Sequence, residues 1–211
     1  MSDTQRPGAG RWVPAGADVQ ELRDAVDGCR GCELWERATQ AVFGEGDARA
    51  RLMLVGEQPG DREDLAGEPF VGPAGRVLDD ALRAAGIDRT EVYVTNAVKH
   101  FRFEERGKRR IHKTPEAGHV RACRPWLEAE MTAIDPDVVV CLGTTAARAV
   151  LDRPVKIGEE RGVVLEHGDL RVVVTVHPSA VVRLRDSAER QAGMDGLVHD
   201  LRVAKDASRG D

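Results

Sequence analysis

The sequence predicts an α/β protein, a three-layer α/β/α sandwich around a central, mostly parallel four-stranded sheet. Two observations carry this reading. Short, nearly continuous apolar runs occur at 51–56 (RLMLVG), 92–98 (VYVTNAV), 137–143 (DVVVCLG) and 171–177 (RVVVTVH), as strands buried on both faces require. Longer segments with helical spacing separate them, and a β-α-β-α-β-α-β order is built from parallel strands joined by crossover helices.

In chain order, residues 1–16 are rich in Gly and Pro and are expected to form a poorly ordered tail. Residues 17–211 then form one domain, long enough for a sizeable core. Helices are expected at 17–28, 73–85, 115–133, 144–151 and 195–205. Gly86 suits the stop of the second, and Pro115 suits the first turn of the third. The stretch GEERGVVLEHGDLRVVV reads as a hairpin that turns at Gly168-Asp169 and leads into the last strand.

Nothing in the chain approaches the ~18 apolar residues of a membrane span. The start, MSDTQRPGAGRW, lacks the apolar stretch of a secretory signal. A monomer in a reducing, cytoplasmic setting is expected, where cysteines serve metals or chemistry more than disulfides. Net charge is −5, so composition alone does not announce a nucleic-acid partner. Distribution does better: Lys99 to Lys113 carries seven Lys or Arg against two Glu, with two Phe interleaved. Such a patch suits a phosphate backbone, the plain alternative being a solvated loop.

Four cysteines stand out: Cys29 and Cys32 in a C-x-x-C turn, then Cys123 and Cys141 far downstream. Four thiolates suit tetrahedral zinc or an iron–sulfur cluster. The second C-x-x-C of a zinc ribbon is missing, which favours a cluster, but spacing alone leaves the metal open. Cys141, inside VVVCLG, also reads naturally as a buried thiol.

Ligands of such sheets collect beyond the carboxyl ends of the strands. There the first strand runs into Gly56-Glu57-Gln58-Pro59-Gly60, the second ends in Thr95-Asn96, and the last ends in His177-Pro178-Ser179. Phe70 is a lone aromatic in the Gly/Pro-rich loop after the first strand. Singly, each has a plain explanation: turns for the glycines, strand capping for Asn96, a core histidine for His177, an N-cap for Ser179. Their convergence on one sheet edge favours a site.

Together these residues resemble the uracil-DNA glycosylase superfamily, in its family-4 iron–sulfur branch. The resemblance rests on the motif at 56–60, EPFVGPAG at 68–75, TNAVK at 95–99, HPS at 177–179 and the four cysteines. It implies a [4Fe–4S] cluster on Cys29, Cys32, Cys123 and Cys141, and uracil-containing DNA, preferably single-stranded, as substrate, with free uracil as product. Two departures from the family-4 pattern, Gln58 and the insertion Lys108-Arg109-Arg110-Ile111-His112, resemble the X-type branch, whose KRRIH loop bonds covalently to DNA.

On that resemblance Phe70 offers a π-face, and Asn96 reads the uracil edge. Gly56, Gly60 and Ser179 shape the binding site. His177 donates to uracil O2 as negative charge develops. Glu57 faces the cationic sugar and is the expected orienter of His112, the nucleophile in place of water. Gln58 joins this catalytic group, while Lys108, Arg109 and Arg110 grip DNA or anchor the loop. Two alternatives stand beside this covalent trap: a conventional glycosylase of many turnovers, and a non-catalytic iron–sulfur protein that binds single strands or carries electrons.

Overall fold

The computed structural model describes residues 6–209. Residues 1–5 of the expected tail lie outside the described residues. The strands are β1 (Glu45–Gly46), β2 (Leu52–Gly56), β3 (Val92–Asn96), β4 (Phe103–Arg106), β5 (Arg109–His112), β6 (Val138–Leu142), β7 (Val164–His167) and β8 (Leu170–Thr175). The helices are α1 (Val19–Val26), α2 (Asp61–Ala66), α3 (Pro73–Ala85), α4 (Ala117–Ile134), α5 (Thr144–Leu151), α6 (Ile157–Glu160), α7 (Pro178–Arg183) and α8 (Ser187–Arg209).

The main sheet has six strands in the order β1-β3-β2-β6-β8-β7, rather than the four expected. Its four inner strands are the expected parallel set. Antiparallel β1 and β7 extend the two edges. β1 is two residues long, too short for any periodic signal. β7 is the first arm of the expected hairpin, turning at Gly168, whose φ of 63° suits glycine.

Alternation along the inner strands builds the three layers. Leu52, Leu54, Val92, Val94, Val138 and Val140 pack with α3 and α8 on one face. Met53, Val55, Tyr93, Val139, Cys141 and Val172 pack with α4 and α5 on the other. A period of two sends successive side chains to opposite faces, so each strand supplies both cores. α3 begins at Pro73 and ends at left-handed Gly86, as its sequence predicts. α4 begins two residues later than expected, with Pro115 ahead of its N-cap Glu116.

A third apolar cluster joins α1, the Cys29–Cys32 turn and α4. Residues 6–16 form no helix or strand, yet they do not hang free as the expected tail. Gly8 N–H donates to Gly31 O at 3.0 Å, and Ala9 N–H to Ala122 O at 2.7 Å. Ala9 is fully buried there. A side chain at Gly31 would strike the Ala9 backbone at 2.8 Å, so this close approach depends on glycine.

Candidate active site

A cleft of about 1110 Å³ opens at the carboxyl ends of the inner strands and is bordered by Glu57, Phe70, Asn96, His112 and His177. β2 and β3 end side by side, with Gly56 opposite Asn96. Beyond them Ala97 N–H donates to Gly56 O at 2.9 Å and Val98 N–H to Glu57 O at 3.1 Å, which pins both motifs. A Cβ at Gly56 would run into the Asn96 amide oxygen and lie 2.6 Å from Phe70 Cζ. Glycine at 56 therefore lets the aromatic and the amide meet over one strand end.

Phe70 is held in the left-handed region, φ 59°, an uncommon state for a bulky residue that needs support around it. Gly75 supplies that support, since any Cβ there would collide with the Phe70 carbonyl. The Phe70 and His177 rings stack with centroids 6.0 Å apart. His177, rather than Ser179, is the N-cap of α7: its Nδ1 accepts the Ser179 N–H at 3.1 Å. A backbone N–H only donates, so Nδ1 carries the lone pair and Nε2 carries the proton. Burial, with help from Arg183 and His112, pushes the His177 pKa down to about 4, so the ring is neutral at neutral pH.

The insertion is not an open loop but a hairpin, β4 paired to β5, with Phe103 opposite His112. Gln58, nearly buried, anchors it. Gln58 Oε1 accepts from Arg102 N–H at 3.1 Å, and its Nε2 lies 3.1 Å from Lys113 O and 3.2 Å from Arg102 O. Those backbone partners fix which end of the amide is nitrogen. The same Nε2 is 2.9 Å from His112 Nε2, so its two N–H groups are shared among three acceptors; because an amide nitrogen only donates, this contact assigns the lone pair to His112 Nε2 and the ring proton to Nδ1.

Glu57 Oε1 lies 3.6 Å from that same His112 nitrogen, and Glu57 Oε2 accepts from Thr145 Oγ1 at 2.5 Å. The expected orienter of His112 is thus corrected: Gln58 makes the hydrogen bond and the carboxylate does not. Desolvation lowers the His112 pKa, with Arg183 acting in the same direction against Glu57.

The basic stretch is largely neutralised inside the protein. Lys99 pairs with Glu130, Arg102 with Glu116, and Lys113 with Glu104. Arg110, expected among the DNA-gripping residues, turns inward to Asp61 at 2.6 Å and to fully buried Asp64 at 2.5 Å. Its guanidinium also lies over Phe103. These contacts commit it to anchoring the hairpin. Lys108 and Arg109 remain exposed near the hairpin turn. Gly60 starts α2 and lies close to Glu63, which accepts the Gly72 N–H at 2.8 Å and closes the Phe70 loop.

Cys29, Cys32 and Cys123 share the third apolar cluster with Trp126 and Phe43. Cys141 does not join them. It lies on the α4/α5 face of β6 among Val55, Val139 and Val174, where strand alternation places it. The four-cysteine set expected from the sequence is corrected to three. His100, which sequence reasoning passed over, is buried beside them. Its neighbour Lys99 donates its N–H to Cys123 Sγ at 3.3 Å. Its ring also feels the charge of Arg30, which stands between Cys29 and Cys32. Thr145 was missed as well, because a threonine in the first turn of a helix carries no signal of its own.

Comparison with known proteins agrees with this geometry. The sequence profile of the "Uracil DNA glycosylase superfamily" matches residues 43–202. The type-4 uracil-DNA glycosylase of Thermotoga maritima is 36% identical over 189 residues, covering 89% of this chain and 93% of the relative. That of Archaeoglobus fulgidus is 37% identical over 182 residues, 81% of this chain and 88% of the relative. A type-5 uracil-DNA glycosylase of Pyrobaculum aerophilum is 32% identical over 178 residues, 74% of each chain. With a matching profile across most of its length and the family's motifs gathered at one cleft, the chain belongs to the uracil-DNA glycosylase superfamily.

Proposed function

We propose that this protein excises uracil from DNA and captures the exposed sugar on His112. The observation that carries the proposal is the His112 Nε2 lone pair, held by Gln58 at the rim of the cleft that contains Phe70, Asn96 and His177. An unpaired base reaches such a cleft without the cost of leaving a duplex, so single-stranded DNA is the favoured substrate. Phe70 stacks on the base. The Asn96 amide donates to uracil O4 and accepts from N3–H, a pattern that cytosine inverts.

As the C1′–N1 bond breaks, its electron pair leaves with the base, and His177 Nε2–H donates to O2 where the charge gathers. Glu57, tethered by Thr145, holds a carboxylate near the cationic sugar. His112 Nε2 leaves Gln58 and gives its lone pair to C1′, forming a C–N bond. The imidazolium then loses its Nδ1 proton to solvent, and uracil gains one. Low basicity keeps His112 neutral and nucleophilic at pH 7. A second reading, conventional turnover through water, is favoured by the Thr145–Glu57 tether, since a fixed carboxylate can also orient water.

The residues also suit an iron–sulfur cluster. The Trp126 indole N–H is buried without a partner among the described residues, within the apolar cluster of Cys29, Cys32 and Cys123. Among the described residues no three His, Cys, Asp or Glu side chains stand ready to share one metal ion. We assign the fourth position to His100. When bound, the cluster would tie the N-terminal segment to α4 and add folding energy. Iron bound per chain should collapse in Cys123→Ser and His100→Ala and stay at the wild-type value in Cys141→Ser, as measured on purified protein.

The deciding experiment for the capture step uses His112→Gly and labelled uracil-containing single strands on a denaturing gel. The wild type should give a slowly migrating band that survives heat and detergent. His112→Gly should lose that band yet still leave an alkali-labile abasic site, because water can enter the vacated space. A wild type that yields only abasic sites sinks the capture and leaves conventional turnover.

A further inference from the structure

Beneath the Asn96 side chain lies an ion pair that the chemistry above does not use. Lys99 and Glu130 are bonded to each other with both side chains 0% exposed. Lys99 Nζ also donates to Thr95 Oγ1 at 2.7 Å and to the Asn96 carbonyl at 2.8 Å, which occupies all its N–H groups. Glu130 Oε1 accepts from the Tyr93 hydroxyl at 3.0 Å, Thr95 Oγ1 at 2.9 Å and Gly44 N–H at 3.1 Å. The network is fully satisfied.

Buried ion pairs are a poor source of stability, because apolar residues of similar volume are often as good or better. The geometry of this pair suggests another use. Asn96 is the last residue of β3. Past it Ala97 N–H still bonds β2, while the Asn96 carbonyl bonds Lys99 Nζ. That bond fixes the peptide after Asn96 and with it the direction of the Cα–Cβ bond. The far end of the segment is fixed too: Lys99 O accepts from Val42 N–H at 2.8 Å, and Lys99 N–H reaches Cys123 Sγ. Glu130 and Cys123 lie seven residues apart on α4, two turns along one side, so a single helix anchors both ends of Lys99.

We propose that Lys99 and Glu130 are positioning residues that aim the Asn96 amide at the base and thereby set the rate of uracil release. This deepens the glycosylase reading and rests on Asn96 being the residue that reads the base. Misplacing a paired amide by ~1 Å can cost on the order of 100-fold in rate.

The test compares Lys99→Met/Glu130→Leu, Glu130→Gln and Asn96→Ala with wild type. Single-turnover uracil release, Kd for uracil-containing single-stranded DNA, bound iron and Tm are read for each. The apolar pair orphans the Tyr93 hydroxyl, Gly44 N–H and Asn96 carbonyl, so its Tm should fall; well below that Tm it should keep its iron and bind DNA within threefold of wild type, yet release uracil about 30-fold more slowly or worse. Glu130→Gln keeps an acceptor for Tyr93 and Thr95 but loosens the grip on Lys99, so release should fall about fivefold at unchanged DNA affinity. A purely structural role predicts instead that each variant, once folded and well below its Tm, releases uracil at the wild-type rate. The positioning role is overturned if a folded apolar-pair variant releases uracil within threefold of wild type while Asn96→Ala is crippled. If the apolar pair does not fold, wild-type release by Glu130→Gln overturns it. Wild-type release by Asn96→Ala overturns the pocket reading itself, and the positioning role falls with it.

Discussion

The two sides of the cleft are held by different physics. The base-reading side consists of strand ends and a glycine-moulded loop. Gly56, Phe70, Asn96 and His177 are placed by sheet register, by backbone hydrogen bonds and by contacts that admit no Cβ. The His112 side is a two-stranded hairpin fastened by side chains. Gln58 holds its base and Arg110 reaches across to α2, where the Asp64 that it bonds also accepts from Thr39 Oγ1 at 2.6 Å. Small two-stranded units are marginal alone, so these anchors decide where His112 stands. The difference teaches that the proposed base pocket is built into the scaffold, whereas the proposed capture would hang on an appendage whose geometry can be removed separately.

The largest effect should come from attacking the scaffold side. In Gly56→Ala the new methyl meets the Asn96 amide and Phe70 Cζ. Uracil release should fall at least ~100-fold, about 3 kcal/mol in the barrier, with the adduct falling in parallel. Single-turnover release on labelled strands measures it. Adduct loss with unchanged release would erase the distinction between the two sides.

A smaller, asymmetric effect is expected from Arg110→Ala, which leaves the buried Asp64 carboxylate without its cation. Thermal or urea unfolding should show a loss of about 1–3 kcal/mol. Adduct yield should drop about tenfold while uracil release changes less than threefold, because the strand ends are untouched. Equal losses in both would mean that the hairpin also shapes the base pocket.

The smallest effect should be in pH dependence. The proposed capture needs neutral His112, whose pKa lies below the usual ~6.5 because burial disfavours the cation. Adduct formation per uracil released should therefore be flat from pH 8 to 6.5 and decline only as pH falls through the lowered value. Uracil release by His112→Gly should lack that limb, since the remaining ring, His177, is neutral down to about 4. A capture limb at pH 7 or above would contradict the desolvated histidine.

Much of this was legible in the sequence because it is local or periodic. Apolar runs located all four parallel strands, and Pro73 and Gly86 bounded α3. The Gly168-Asp169 turn located the β7–β8 hairpin. The motifs at 56–60, 68–75, 95–96 and 177–179 predicted a cleft at the strand ends, and the structure brings them together there. α2 and α7, six residues each, escaped notice because they are too short for a helical period to emerge.

The sequence by itself determined the four parallel strands and the β7–β8 hairpin, the glycines at 86 and 168 that stop a helix and turn a hairpin, and that cysteines and a basic insertion would matter. Tertiary structure alone decided how those residues are used. Cys141 points toward α4 but packs in the core between that helix and the sheet, whereas Cys29, Cys32 and Cys123 gather in the separate cluster between α4 and α1, and sequence parity does not say where along a helix a strand residue will land. Of the two uses expected for Arg110, phosphates or the protein's own carboxylates, the fold supplies the second, because Asp61 and Asp64, nearly fifty residues earlier in the chain, lie beside it. Lys99, one of seven charges in a basic run, ends fully buried against Glu130. In each case the deciding partner is distant in sequence, and a charge or thiol takes its role from whatever the folded chain brings within a few ångströms of it.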